Sequence, residues 1–320
     1  MVIAGELDPD LAAFLSKAGP AASLSGETSV EAFRARFARR PAGTPETVAS
    51  VHDVAASGVN LRVYDPQPAN PGKGALLFFH GGGFIIGDLE QQDGFCRLLA
   101  NRVGIVVVSV DYRLAPEHPY PAAIEDGWSA LGWLSDNARQ LGVDPARLAV
   151  GGTSAGASLA AALCLVSRDR GGPSIAFQLL PYPATDLRPG AWPETSDTLN
   201  PVLPRETAEW FASLYLSGGD PAQAYASPLV AADLSRLPPA FILTAEFDPL
   251  RDEAEAYGAR LRSAGVEVSV KRYTGMTHMF LSFAAAVPAA ARAIDDIVNA
   301  LRAAIVQPAA APSDARAQPR

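Results

Sequence analysis

Residues 147–168 read RLAVGGTSAGASLAAALCLVSR, and this stretch decides the fold. Its first four residues have the pattern of a short strand, and its last fourteen are the small and apolar residues of a buried helix. GTSAG at 152–156 joins the two, because Gly152 and Gly156 let a strand and a helix approach closely. The junction predicts an α/β fold in which Ser154 stands at the carboxyl end of a strand.

Strands and helices alternate on both sides of this junction. The predicted strands are 59–64, 75–79, 105–110, 147–150, 175–180, 240–244 and 266–273, and the predicted helices are 91–103, 121–141, 155–168, 205–216, 250–264 and 282–306. Most of these strands are short apolar runs, which is typical of strands buried on both faces. We therefore predict an α/β fold with a mostly parallel central sheet flanked by helices.

Two segments interrupt the alternation. Residues 1–45 contain one or two amphipathic helices, and residues 186–226 combine prolines with several aromatic residues. Both are predicted to be helical additions that lie over the sheet. The α/β domain then comprises 46–185 and 227–306, and the Ala/Pro-rich residues 307–320 are expected to be a disordered tail.

Composition and charge exclude several classes of function. The net charge is −8 and the pI is near 5.1, so a nucleic-acid partner is not expected. No basic segment precedes an apolar stretch at the N-terminus, and no apolar run could span a bilayer. Cys96 and Cys164 are expected to be buried and unpaired, and two cysteines are too few for a zinc site. A cytoplasmic protein without a metal is the expectation.

A second glycine cluster, HGGGF at 80–84, follows the predicted strand 75–79. Consecutive glycines leave backbone N–H groups uncovered, and an acyl-transfer site needs such donors for the oxyanion of its tetrahedral intermediate. We expect the N–H groups of Gly82, Gly83 and Ala155 to form this oxyanion hole. The residues expected to support the site structurally are His80, Gly81, Gly152 and Gly156.

A serine nucleophile needs a base and an acid. GTSAG alone could be a glycine-rich turn with a helix-capping serine, but in α/β hydrolases the chain order is Ser, then Asp or Glu, then His. Of the four histidines only His278 follows Ser154, so it is the expected base. Asp248, which follows a predicted strand and precedes a proline, is the expected acid. Glu246 is its main rival, and Asp252 is a weaker one.

Together with GTSAG and HGGGF, three further stretches resemble the hormone-sensitive-lipase-like bacterial esterases (family IV). They are DYRLAPEHPYPAAIED at 111–126, DPLRDE at 248–253 and GMTHMF at 275–280, and the resemblance covers roughly residues 45–305. Members carry GDSAG or GTSAG at the nucleophile, so Thr153 resembles the second subgroup. The resemblance implies that the DYRLAPE segment serves as a scaffold that braces the loops around the site.

The resemblance implies an α/β-hydrolase fold with a helical cap built from the N-terminal helices and the 186–226 insertion. It also implies hydrolysis of short-chain or aromatic esters without a cofactor or metal, and the homodimers that related esterases often form. An amidase or deacylase would use the same three residues and differ only in the leaving group. A non-catalytic ligand-binding member resembling the plant gibberellin receptor would lack the catalytic histidine, whereas this chain has His278.

Overall fold

A computed structural model of the chain describes residues 5–19, 29–38, 45–192 and 202–306. The tail predicted over 307–320 lies outside the described residues, as do parts of the two predicted helical additions. Within the described ranges, no helix has both the length and the apolar character that crossing a membrane requires.

The described chain forms one eight-stranded sheet with the order β1-β2-β4-β3-β5-β6-β7-β8. The strands are β1 Ser50–Ala56, β2 Val59–Asp65, β3 Lys73–Phe79, β4 Val106–Asp111, β5 Val143–Gly152, β6 Phe177–Pro181, β7 Ala240–Phe247 and β8 Val268–Thr277. Neighbouring strands are parallel throughout the stretch β4-β3-β5-β6-β7-β8 of this order. At the edge beside β4, β1 pairs with β2 and β2 pairs with β4 in antiparallel fashion. The predicted mostly parallel sheet is confirmed.

Eight α-helices surround or adjoin this sheet in the described residues. They are α1 Pro9–Ala18, α2 Val30–Phe37, α3 Leu89–Leu99, α4 Ala122–Asn137, α5 Ala155–Arg170, α6 Arg205–Leu216, α7 Arg251–Ser263 and α8 Pro288–Ile305. Side chains alternate across each strand, so Leu77 and Phe79 of β3 belong to the core on the α4 and α5 side, whereas Leu76 and Phe78 belong to the core on the α3 and α8 side. Burial of β3 on both faces explains its unbroken apolar sequence.

Strand β1 was not predicted, because SVHDVAA has no alternating pattern and most of the strand is at least partly exposed. Its hairpin with β2 turns at Ser57 and Gly58, whose φ angles are +51° and +88°. Two left-handed residues suit the tight turn that joins antiparallel strands. The final helix was predicted to begin at residue 282, which is wrong: Phe280–Phe283 form a 3₁₀ turn, and α8 begins at Pro288.

Helices α2 and α6, from the two predicted additions, contact each other and the loops beside the sheet. The Phe33 ring packs edge-on against Phe211 at 5.3 Å between centroids. Arg34 donates to the backbone oxygens of Ile85 and Ala115, both at 2.9 Å, and pairs with Glu117 at 2.6 Å. The N-terminal segment is therefore attached to the HGGGF and DYRLAPE loops through backbone atoms as well as an ion pair.

Cys96 and Cys164 are both buried and unpaired, as predicted. Cys96 lies on α3 and Cys164 on α5, on opposite faces of the sheet. Both behave as small apolar residues of the core.

The close approach of α5 to β3 gives a test of the glycine assignments. A Cβ at Gly156 would lie 2.1 Å from the carbonyl oxygen of Phe79, so Gly156→Ala should lower the free energy of unfolding by about 2–3 kcal/mol. Gly94→Ala is the matched control, because Gly94 is exposed in α3 and its Cβ would meet nothing within 4 Å. The control should raise stability by about 1 kcal/mol in urea titrations. Equal effects of the two changes would contradict this packing.

Candidate active site

Ser154 lies at the junction of β5 and α5 in a backbone conformation that is rare for a non-glycine residue. Its φ and ψ angles are +53° and −122°, and its N–H donates to Pro181 at 3.1 Å. The glycines on either side permit this turn, since a Cβ at Gly152 would lie 2.4 Å from the oxygen of Phe79. The turn leaves the half-buried Ser154 side chain facing a cavity at the carboxyl edge of the sheet.

His278 and Asp248 lie next to this serine. The Oγ of Ser154 is 2.8 Å from Nε2 of His278, and Nδ1 of His278 is 2.7 Å from Oδ2 of Asp248. Oδ1 of Asp248 accepts a hydrogen bond from the N–H of Leu250 at 3.0 Å. Tyr182 packs edge-on against the imidazole, with 4.9 Å between ring centroids. Both members of the His–Asp pair are buried, so the carboxylate and the ring are held in one geometry.

The two rival carboxylates have other partners. Oε2 of Glu246 accepts the N–H of Gly275 at 2.7 Å, which ties β7 to β8. Asp252 is exposed on α7 and pairs with Arg251 at 2.7 Å. Of the three candidates for the acid, the structure brings only Asp248 to the imidazole.

The glycine loop after β3 borders the same cavity as Ser154 and His278. Gly82 and Gly83 have φ angles of +126° and +59°, and the oxygen of Gly82 accepts the N–H groups of Ile85 and Ile86, each at 3.0 Å. Within the described part of the chain, no protein acceptor receives the N–H of Gly82, Gly83 or Ala155. These three donors therefore remain free for a ligand in the cavity.

His80 and Gly81 begin this loop and are fully or partly buried. Nδ1 of His80 is 2.8 Å from the oxygen of Gly81, and burial holds the pKa of His80 below its usual value. The neutral ring thus donates from Nδ1 to the Gly81 carbonyl. A Cβ at Gly81 would lie 3.0 Å from Thr153, so the loop packs directly on the GTSAG turn.

The DYRLAPE segment contacts the glycine loop from behind. The hydroxyl of Tyr112 donates to the oxygen of His80 at 2.9 Å, and the two rings stack with 4.1 Å between centroids. The N–H of Ala115 donates to Phe84 at 3.0 Å, and the N–H of Tyr120 donates to Tyr215 of α6 at 2.7 Å. These contacts link the glycine loop to α6.

The cavity in front of Ser154 has a volume of about 250 Å³. Aromatic and aliphatic side chains form most of its wall, including Phe37, Tyr182, Trp192 and Phe211, while Gln91 and Gln92 contribute carboxamides. No Lys, Arg, Asp or Glu among the described residues lines it. Nor do three His, Cys, Asp or Glu side chains of these residues come together as metal ligands anywhere in the fold.

Sequence reasoning missed several side chains that shape this site. Tyr182 follows β6 directly, a position at the carboxyl edge that strand order alone could have indicated. Tyr112 belongs to the DYRLAPE segment, whose contacts the sequence does not indicate. The hydrogen bond of Trp192 to Glu253 gave no signal in sequence, because Glu253 lies on α7, 61 residues further along the chain.

The chain is similar to several known proteins. A family model described as the alpha/beta hydrolase fold matches residues 76–282. Carboxylesterase NlhH of Mycobacterium tuberculosis is 41% identical over 295 residues, which cover 88% of this chain and 92% of the relative. Ethyl acetate hydrolase of Pseudomonas putida is 34% identical over 318 residues, which cover 92% of this chain and 98% of the relative.

Among solved structures, a hyperthermophilic esterase from the archaeon Pyrobaculum calidifontis superposes with a TM-score of 0.84. It is 37% identical, and the match covers 93% of this chain and 98% of that one. Fold and sequence similarity together define an α/β hydrolase of the esterase class. Within that class, the chain belongs to the hormone-sensitive-lipase-like family, as its motifs implied. Its place in the GTSAG subgroup stays a prediction.

Proposed function

We propose that the chain hydrolyses short-chain or aromatic carboxylic esters through a Ser154–His278–Asp248 triad and an acyl-enzyme. The observation that carries the proposal is the continuous path of hydrogen-bonding atoms from Ser154 Oγ to the Asp248 carboxylate, with separations of 2.8 and 2.7 Å. It begins at the floor of an apolar cavity, where an ester carbonyl could meet the serine.

In the first half-reaction, Nε2 of His278 takes the proton of Ser154 as Oγ attacks the carbonyl carbon. Asp248 fixes the imidazole tautomer and stabilises the imidazolium that forms. The tetrahedral oxyanion is received by the free N–H groups of Gly82, Gly83 and Ala155, each of which stabilises the transition state by about 3 kcal/mol. His278 then protonates the departing alkoxide, and the acyl group stays on Ser154.

In the second half-reaction, a water molecule takes the place of the alcohol. His278 removes its proton, the resulting hydroxide adds to the acyl carbon, and the same three N–H groups bind the second oxyanion. Collapse of this intermediate returns the proton to Ser154 and releases the acid. Each step uses side chains and backbone groups of this chain, so the proposed reaction needs no cofactor.

The preference for small esters is proposed from the cavity and its roof. We assign the roof to a cap formed by the segments within 1–45 and 186–226, in which α2 and α6 pack through Phe33 and Phe211. A volume of about 250 Å³ suits a short acyl chain or an aromatic ring better than a long one. The ethyl acetate hydrolase of Pseudomonas putida is named for a small ester, which supports the same size class.

Amide hydrolysis and ligand binding without catalysis are the alternatives to ester hydrolysis. Amide hydrolysis would use the same residues, and no contact in the site favours an amine over an alcohol as leaving group. A purely ligand-binding role would give no reason for Ser154 to face the His278–Asp248 pair. Location in the cytoplasm and pairing into a homodimer stay predictions.

Ser154→Ala tests the nucleophile. The variant should lose turnover of p-nitrophenyl acetate and labelling by an organophosphate, because both require attack by Oγ. Its thermal unfolding midpoint should stay near that of the unaltered protein, since the alanine keeps the backbone turn. If the unaltered protein shows neither turnover nor labelling, the esterase proposal fails.

Asp248→Asn tests the acid. The substitution should lower kcat for p-nitrophenyl acetate by about 10⁴-fold, because an amide no longer selects the required imidazole tautomer. Glu246→Gln and Asp252→Asn are the matched controls, and both should keep kcat within about threefold, since neither carboxylate contacts His278. A large loss in Glu246→Gln with near-full activity in Asp248→Asn would reverse the assignment.

The absence of charged side chains around the described cavity predicts selectivity for neutral esters. Ethyl butyrate and monoethyl succinate match in acyl length, but only the second brings a carboxylate into the cavity. Its kcat/KM should be lower by about 100-fold or more, because an unpaired charge is costly to bury. Ethyl methyl succinate, which restores neutrality, should recover most of the loss in pH-stat assays. Equal rates for the charged and neutral succinates would contradict the prediction.

A further inference from the structure

Glu253 is a buried carboxyl group that the proposed mechanism does not use. It lies in the first turn of α7, five residues after Asp248, and is 6% exposed. Its Oε1 accepts the backbone N–H of Thr185, and its Oε2 accepts the indole N–H of Trp192, both at 2.8 Å. Glu253 therefore connects the helix that follows the acid with the chain that leaves β6 and enters the insertion.

No positive charge compensates this carboxyl group within the described residues. The charged group that acts on it is the carboxylate of Asp186, which itself pairs with Arg188 at 2.7 Å and favours the neutral form of Glu253. Burial raises the pKa of Glu253 well above its usual value. A carboxyl group in such a place costs folding free energy, which its hydrogen bonds must offset. The hydrogen bonds from the backbone of Thr185 and Asp186 and from the Trp192 indole stabilise the charged carboxylate against this cost.

Trp192 is the partner that reaches the substrate cavity. The side chain is 5% exposed and lines the cavity together with Ala184 and Leu187. Because its N–H is directed to Glu253, the indole presents carbon atoms rather than an unsatisfied donor to the cavity. One hydrogen bond thus fixes both the position and the apolar character of this wall.

We propose that Glu253 is a specificity-determining positioning residue, which holds the Trp192 indole as the wall that limits the length of the acyl group. The inference rests on the proposed ester hydrolysis and adds to it a named determinant of chain length. The hydrogen bonds of Glu253 reach neither Ser154 nor His278, so its effect on the cavity is assigned to the Trp192 indole.

Glu253→Gln isolates this role, because it keeps the size of the side chain and changes one acceptor into a donor. The carboxamide oxygen can still accept the N–H of Thr185, whose backbone position is fixed by the chain. Its NH₂ group then faces the indole N–H, and two donors cannot form a hydrogen bond. The substitution should therefore release Trp192 from its position while leaving the rest of α7 in place.

The experiment compares kcat/KM for p-nitrophenyl hexanoate and acetate in the full chain. Trp192→Ala, which removes the wall, should raise the hexanoate-to-acetate ratio by about tenfold. Glu253→Gln should raise the ratio by about threefold, in the same direction. Asp252→Asn, the control on the exposed side of the same helical turn, should leave it unchanged. In the double variant, Glu253→Gln should add nothing to Trp192→Ala, because the two act through one side chain.

Two results would overturn the inference. One is a ratio that stays at the value of the unaltered protein in a folded Glu253→Gln variant. The other is a double variant in which the effects of Glu253→Gln and Trp192→Ala on this ratio add as independent changes. If Glu253→Gln does not fold, Trp192→Phe replaces it, since it removes the indole N–H and leaves the carboxyl group intact. An unchanged ratio in that variant would equally contradict the role of the hydrogen bond.

A spectroscopic measurement separates this inference from the esterase proposal. The emission of Trp192 is obtained as the difference between the fluorescence spectra of a protein with and without Trp192→Phe. The emission maximum of this difference spectrum should shift when both proteins carry Glu253→Gln, and it should stay constant when both carry Asp252→Asn. Failure of the unaltered protein to hydrolyse any ester would end the esterase proposal, while the fluorescence result would still report whether Glu253 holds the indole.

Discussion

The structure depends on the contact between the start of α5 and the end of β3. Gly152 and Gly156 both lie against the carbonyl oxygen of Phe79, so no side chain fits between the end of β3 and the start of α5. Only with this approach can the chain reverse at Ser154 with a φ of +53°. The position of the glycine loop depends on the same turn, because Gly81 packs on Thr153. One steric constraint therefore positions both Ser154 and the glycine loop at the cavity.

Much of the fold and site could be predicted because they depend on local sequence. Central strands such as β3 are short apolar runs, and GTSAG and HGGGF each need glycine for a stated steric reason. Chain order left His278 as the one candidate for the base, and the structure places it beside Ser154. These features are local, or follow from the order of elements in a parallel sheet.

What could not be predicted depends on contacts between distant segments. The sequence left three carboxylates open for the acid, since choosing among them requires the direction of each side chain around the start of α7. Strand β1 is recognisable only by its pairing with β2, because its own side chains are largely exposed. The hydrogen bond between Glu253 and Trp192 joins residues 61 positions apart, and no pattern in either segment indicates it.

The attachment of α2 has a consequence for how such an enzyme diversifies. Arg34 binds the carbonyl oxygens of Ile85 and Ala115, which every amino acid possesses. Side chains of those two loops can therefore be exchanged during evolution without loss of these two bonds. Ser154, Asp248 and His278 lie just after β5, β7 and β8, and Arg34 contacts none of them. Those loops can therefore change in sequence while α2 keeps its attachment and the three side chains after the strands keep their arrangement.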